Sequence, residues 1–190
     1  MVQAPSKLIT LEEFLELPET EPASEYIDGQ IVQKPMPKGK HSKLQVKLVG
    51  AINQVVEASQ IAEAFTELRC TFAGRSIVPD IAVFTWDRIP VDAAGDIADT
   101  FDLAPDWVIE ILSPDQNQTQ VVKKIFHCLD QGCQLGWLVD PAERCVFIYP
   151  SRQHLIFLTE PNDVLVVPEF AQALQLTVGT LFGWLQRQKR

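Results

Sequence analysis

Apolar residues along this chain follow two rhythms, one of 3.6 residues and one close to continuous. Leu44, Leu48, Val49, Ile52, Val55 and Val56 recur at helical spacing and predict an amphipathic helix over about 41–58. Val122, Ile125, Phe126 and Leu129 repeat at i, i+3, i+4 and i+7 and predict another, ending at Gly132. Between them, residues 65–72, 77–84 and 106–112 are rich in Val, Ile, Phe and Trp, are separated by Gly, Pro and Asp clusters, and read as three strands. "LGWLVDP", "RCVFIYP", "HLIFLT" and "DVLVV" continue as a strand and a β-meander, and "TVGTLFGWLQRQK" as a short closing helix. Ahead of this core, "TLEEFLEL" opens a short helix with Thr10 as N-cap and Glu13 completing a capping box. "EYIDGQIVQK" reads as a strand entered through an Asp28-Gly29 turn. The order helix, three strands, helix, strand predicts an α/β core with a mixed sheet, carried by one domain over residues 1–190.

Composition narrows the class without naming a function. The 46% apolar and 22% charged fractions suit a globular chain, and no apolar run approaches the roughly 18 residues of a membrane span. The N-terminus lacks the charged, apolar and small-residue segments of a secretory signal, so a cytoplasmic location is expected. Cys70, Cys128, Cys133 and Cys145 form no C-x-x-C pair, which argues against zinc and for small buried thiols. A net charge of −9 argues against a general affinity for nucleic acid, but its distribution is uneven. Lys34, Lys38, Lys40, Lys43 and Lys47 surround His41 with no acid among them, whereas residues 12–28 and the long loop 87–106 are acidic. Solvated surface is the ordinary reading of such runs; a basic patch for a phosphate backbone, centred on Lys38, Lys40 and Lys43, is the other.

Two carboxylates interrupt the apolar strands. Asp80 breaks "IVPDIAVF" and Glu110 breaks "DWVIEIL". Removing water from a carboxylate costs on the order of several kcal/mol unless a partner or a metal replaces it. Neighbouring strands are about 5 Å apart, so the two acids could share one hard cation, which needs only one or two carboxylates plus water and substrate oxygens. Separate structural salt bridges are the alternative. On the following helix Lys123 and Lys124 flank the apolar stripe on opposite margins, and either could reach a buried acid; the pattern alone does not choose.

"VPDIAVF", "WVIEILSP" and "KKIFHCLDQGCQLGWLVDP", preceded by "SEYIDGQIV" and by "KH" at a helix start, together resemble the Uma-two family of restriction-type endonucleases in the PD-(D/E)XK nuclease superfamily. The resemblance covers roughly residues 10–185. It implies a restriction-endonuclease-like core (αβββαβ), with a mixed sheet flanked by helices and a C-terminal β-meander. Pro79-Asp80 matches the family's "PD", and Glu110 matches the acid of its "E-V-L-S-P" strand. The lysine that the superfamily usually places two positions after that acid is Leu112 here. In this family it stands on the next helix, four residues before a tyrosine that precedes a glycine by four, which counts back from Gly132 to Lys124. The tyrosine position holds Cys128, a departure. Glu25 resembles an accessory N-terminal acid and His41 a recurrent histidine at the helix start.

The resemblance implies hydrolysis of DNA phosphodiester bonds, with Asp80 and Glu110 holding Mg2+ or Mn2+ and Lys124 orienting the attacking water. Cutting both strands of a duplex would be served by a homodimer. The alternative is a nuclease-like fold that no longer cleaves and serves as a nucleic-acid-binding or regulatory module, which Cys128 and the acidic total charge favour. A glycosidase is poorly supported, because no aromatic-rich loop is present to line a sugar cleft.

Overall fold

A computed structural model describes residues 9–114 and 116–187. The elements run α1 (Leu11–Leu15), β1 (Ser24–Ile27), β2 (Gln30–Gln33), α2 (Gly39–Val56), β3 (Ala62–Thr66), β4 (Cys70–Phe72), β5 (Arg75–Ile77), β6 (Ile81–Thr85), β7 (Trp107–Ile111), α3 (Gln118–Asp130), β8 (Leu135–Asp140), β9 (Cys145–Pro150), β10 (Ile156–Leu158) and α4 (Val178–Gly183). They build two sheets, one of order β2-β1-β5-β4 and a larger one of order β10-β9-β8-β7-β6-β3. In the larger sheet β7 and β8 are parallel and the other pairs antiparallel, which makes it mixed as expected.

The alternation of β7 divides the core. Trp107, Ile109 and Ile111 point to the layer that includes Leu44, Leu48 and Ile52 of α2, while Val108 points to the layer that includes Val121, Ile125 and Cys128 of α3. Glu110 follows Val108 on the α3 side. The parallel β7-β8 pair requires a crossover, and α3 supplies it. α3 lies close to the sheet at Gly136 of β8, where a Cβ would overlap Ile125 Cγ2. All four cysteines are free and buried.

Local chemistry explains the expected elements and the points at which the structure departs from them. Thr10 and Glu13 form the reciprocal capping box that opens α1. Asp28 and Gly29, both with positive φ (51° and 82°), turn β1 directly into β2, so the segment is a hairpin with a strand on each side of the turn. The single strand expected over 65–72 is two, because Glu67 adopts a φ of 50° and ends β3 before β4 begins. The strand expected over 77–84 is likewise broken at Val78, Pro79 and Asp80. The meander stops after β10: "DVLVV" contributes only a bridge between Val164 and Thr177, and no strand. The closing helix is shorter than expected and ends at Gly183; residues 188–190 lie outside the described part of the chain.

Candidate active site

The break between β5 and β6 creates the site. Pro79 has no N–H to give a ladder, so the chain leaves the sheet there and its peptide groups need other partners. Side chains supply them. Val78 N–H donates to Glu25 Oε1 at 2.8 Å, and Val78 O accepts from Lys34 Nζ at 2.9 Å. Asp80 O accepts from Gln45 Nε2 at 2.8 Å. β1, the β2-α2 connection and α2 therefore all converge on one interruption.

Asp80 is almost fully buried and saturated on one oxygen. Oδ2 accepts from Ile111 N–H at 2.7 Å and lies 3.0 Å from His41 Nε2, while Oδ1 accepts from Lys34 Nζ at 2.9 Å. Burial alone would raise its pKa, but the His41 hydrogen bond and the charges of Lys34, His41 and Lys124 hold the carboxyl well below its usual range.

Glu110 is fully buried and differs in every respect. The β6-β7 ladder ends with Ile81 paired to Ile109, and Asp80, just before it, accepts from the N–H of Ile111, the residue after Glu110. Lys124 Nζ lies 3.0 Å from Glu110 Oε1, close enough for an ion pair but not aligned as a hydrogen bond. Both Glu110 oxygens are consequently buried without a hydrogen-bond partner. Burial pushes the Glu110 carboxyl up to about 8, against the opposing pull of Lys124.

Lys124 also donates to Glu25 Oε1 at 2.9 Å. Burial alone would strip its proton, but Glu110, Glu25 and Asp80 hold the ammonium charged and raise its pKa. The two lysines are told apart by the buried residues of α3, which are Val121, Lys124, Ile125, His127 and Cys128. Phe126 is exposed, so the buried face includes Lys124 and leaves Lys123 in solvent. Among the described residues neither Asp80 nor Glu110 is neutralised by an arginine. Asp106, a buried acid just before β7, is: Arg88 pairs with it and Thr85 donates to it, an ordinary structural arrangement.

Two clefts meet at this cluster. One is lined by Lys34, His41, Gln45, Glu67, Asp80 and Gln116. The other is lined by Glu25, Lys34, Gln116, Asn117, Lys123 and Lys124. Lys34 lines both. A further groove, running past Lys38, Lys40, His41, Ser113 and Gln116, adjoins the first. Of the basic run, Lys38, Lys40 and Lys43 are exposed, but Lys34 is buried and belongs to the acid cluster.

Three members of the cluster escape the sequence reading: Lys34, Gln45 and Glu67. Gln45 stands four residues after His41 within the buried stripe of α2, a polar residue at core spacing that carried a usable signal. Lys34 was hidden within a charge run. Glu67 accepts from Lys34 at 2.6 Å and from Gln45 at 2.9 Å because of a backbone turn that no sequence pattern announces.

Comparison with known proteins places the family and the fold. The Uma2 family, described as "Putative restriction endonuclease", matches residues 11–179. The chain belongs to the Uma2 family. A crystal structure from Anabaena variabilis, titled as that of a "putative nuclease belonging to DUF820", is 58% identical, with a TM-score of 0.92, covering 94% of this chain and 99% of that one. Among functionally curated proteins there is no match. The α2, β3, β6, β7, α3, β8 succession is thus a restriction-endonuclease-like core, interrupted by the β4-β5 hairpin.

Uma2 membership implies a divalent metal, and the donor set fits one. Glu110 has no hydrogen bond on either oxygen among the described residues, only the ion pair of Oε1 with Lys124, and a carboxylate has about four lone-pair sites, of which Asp80 commits three, leaving one on Oδ1. Among the described residues no group of three or more His, Cys, Asp or Glu side chains forms a complete cage. A Mg2+ or Mn2+ ion held by these two acids would have to keep water and borrow substrate oxygens. Cys128, in the family's tyrosine position, is fully buried in the α3 layer, and burial raises its thiol pKa far above the ordinary value, so it has no role as a nucleophile.

Proposed function

We propose that the protein is a metal-dependent endonuclease that hydrolyses DNA phosphodiester bonds, with Asp80 and Glu110 as metal ligands and Lys124 as the cation at the reacting phosphate. The observation that carries this reading is Glu110: a fully buried carboxyl on the strand beside Asp80, with neither oxygen hydrogen-bonded among the described residues and one of them 3.0 Å from the buried Lys124 ammonium. A purely structural acid at that place would be satisfied, as Asp106 is.

A bound Mg2+ or Mn2+ supplies Lewis-acid polarisation of the phosphoryl oxygen and acidifies a water. The chain's own residues do the rest. Lys124 stays protonated and therefore cannot be a base; its Nζ, fixed by Glu25 Oε1, supplies a preorganised positive charge to the phosphorane and a donor to the attacking water. His41 and Ile111 N–H hold the Asp80 carboxylate ionised and oriented. Lys38 and Lys40, which line the groove that adjoins the first cleft, and the exposed Lys43 on the same turn of α2 carry the phosphate backbone. Duplex DNA is the substrate class, and a two-fold pair of chains would place one site on each strand.

A second reading, a nuclease-like fold that binds nucleic acid without cutting it, draws support from Cys128 and from the complete burial of Glu110. One experiment separates the two. Supercoiled plasmid incubated with the protein and Mn2+ is expected to be nicked, to survive in EDTA, and to survive with Asp80→Asn; plasmid that binds but stays supercoiled in Mn2+ establishes the second reading.

A further inference from the structure

The position of Lys34 is unusual for a lysine beside a metal-binding acid. Its ammonium has three protons, and each has an oxygen in reach: Glu67 Oε2 at 2.6 Å, Val78 O at 2.9 Å and Asp80 Oδ1 at 2.9 Å. No donor remains for a substrate phosphate or for water. Two carboxylates and a peptide carbonyl are also the donor types that hard divalent ions select. The side chain is buried, and although burial opposes its charge, Asp80 and the neighbouring acids keep it protonated.

We infer that Glu67 Oε2, Val78 O and Asp80 Oδ1 form a cation seat on the cleft side of Asp80, and that Lys34 is its resident occupant, competing with the divalent ion for Asp80. The inference rests on the metal-dependent reading above and adds Glu67 and the Val78 carbonyl to its ligands. Gln45 holds the seat in shape, since its Nε2 donates both to Glu67 Oε1 and to Asp80 O. The connection from β2 to α2, "KPMPK", carries Lys34 at its start, where its N–H donates to Ala23 O at 2.9 Å and anchors the backbone while the ammonium reaches the seat. Metal loading and release of Lys34 are then two sides of one exchange. An ion that must wait for a seat occupied nine-tenths of the time binds about tenfold more weakly than to the open seat.

The test is Mn2+ titration by calorimetry, with folding checked by circular dichroism, on the wild type and on Lys34→Met, Lys47→Met and Glu67→Gln. Lys34→Met is expected to bind Mn2+ about tenfold or more tightly, because the competitor is gone. Lys47→Met, which removes an exposed charge from α2 outside the clefts, is expected to match the wild type. Glu67→Gln is expected to weaken binding, and it reports on the seat independently should Lys34→Met fail to fold. Binding by the wild type with no gain in Lys34→Met, an equal gain in Lys47→Met, or unchanged binding in Glu67→Gln overturns the seat while leaving the metal site standing. Absence of Mn2+ binding in both the wild type and Lys34→Met overturns the metal-dependent reading itself.

Discussion

Glu25 and Lys124 lie 99 residues apart in the chain and meet through one hydrogen bond of 2.9 Å, on the same Glu25 oxygen that accepts the Val78 N–H. The N-terminal hairpin, the break before β6 and helix α3 are thereby fastened at a single atom. Positioning of the candidate catalytic cation depends on a hairpin outside the core sheet.

Glu25→Ala removes one partner of a buried pair and leaves the Val78 N–H without its acceptor. The expected cost is about 3–5 kcal/mol, which a thermal melt reads as a fall on the order of 10 °C for a chain of this size. Glu25→Gln, which can still accept from Val78, is expected to fall less. Equal melts for both variants and the wild type would mean that the fastening contributes nothing.

Lys124→Met is expected to lower plasmid nicking by on the order of 100-fold or more, the loss typical of removing one preorganised donor. Lys123→Met should stay within about threefold, since that side chain is in solvent and a surface change of this kind is nearly neutral. The opposite order of effects would move the role to Lys123.

Stability in EDTA should depend on pH through Glu110. Its carboxyl titrates higher in the folded chain, at about 8, than the ordinary 4.5. The folded state therefore holds a proton that the unfolded chain has released, and this contribution to stability is full below about 4.5 and lost as pH rises through about 8. Glu110→Gln should melt higher than the wild type at pH 8 by at least about 3 °C, the shift that roughly 1 kcal/mol produces, with a smaller gap at pH 5. It should also lose any stabilisation by Mn2+. A gap that narrows as pH rises would show that Lys124 keeps Glu110 ionised.

Reversing Lys40 and Lys43 to Glu should flatten the salt dependence of binding to a labelled duplex. Each lost phosphate contact removes about 0.9 from the slope of log K against log salt, so the pair should remove close to 2. Fluorescence anisotropy at several salt concentrations reads this directly. An unchanged slope would make these lysines ordinary surface.

The residues differ in how much of their role the sequence disclosed. Asp80 and Glu110 are visible because a charge in an apolar strand has no cheap bland explanation, and Lys124 is visible once Cys128 is counted as apolar and Phe126 is not. The helices and core strands are legible because each buries a regular stripe. The splitting of the 65–72 strand was not, since a positive φ at Glu67 is a tertiary choice without a glycine to announce it. The fourth meander strand is apolar enough to pair, but Val164 and Val166 stay exposed and the segment docks Leu165 instead, donating its N–H to Leu176 O. Lys34 was masked by its neighbours: in a run of lysines nothing distinguishes the one that turns inward.

Gly136 sets how low α3 can ride on the sheet, and Lys124 is the residue immediately before the side chain that settles there. A single added methyl on β8 would lift Ile125 and carry the ammonium with it, away from both of its carboxylates. The bare backbone of an interior strand thus acts as a height gauge for the candidate site between helix and sheet, and a variant at Gly136 would be mistaken for a packing defect unless its effect on cleavage were measured beside its effect on melting.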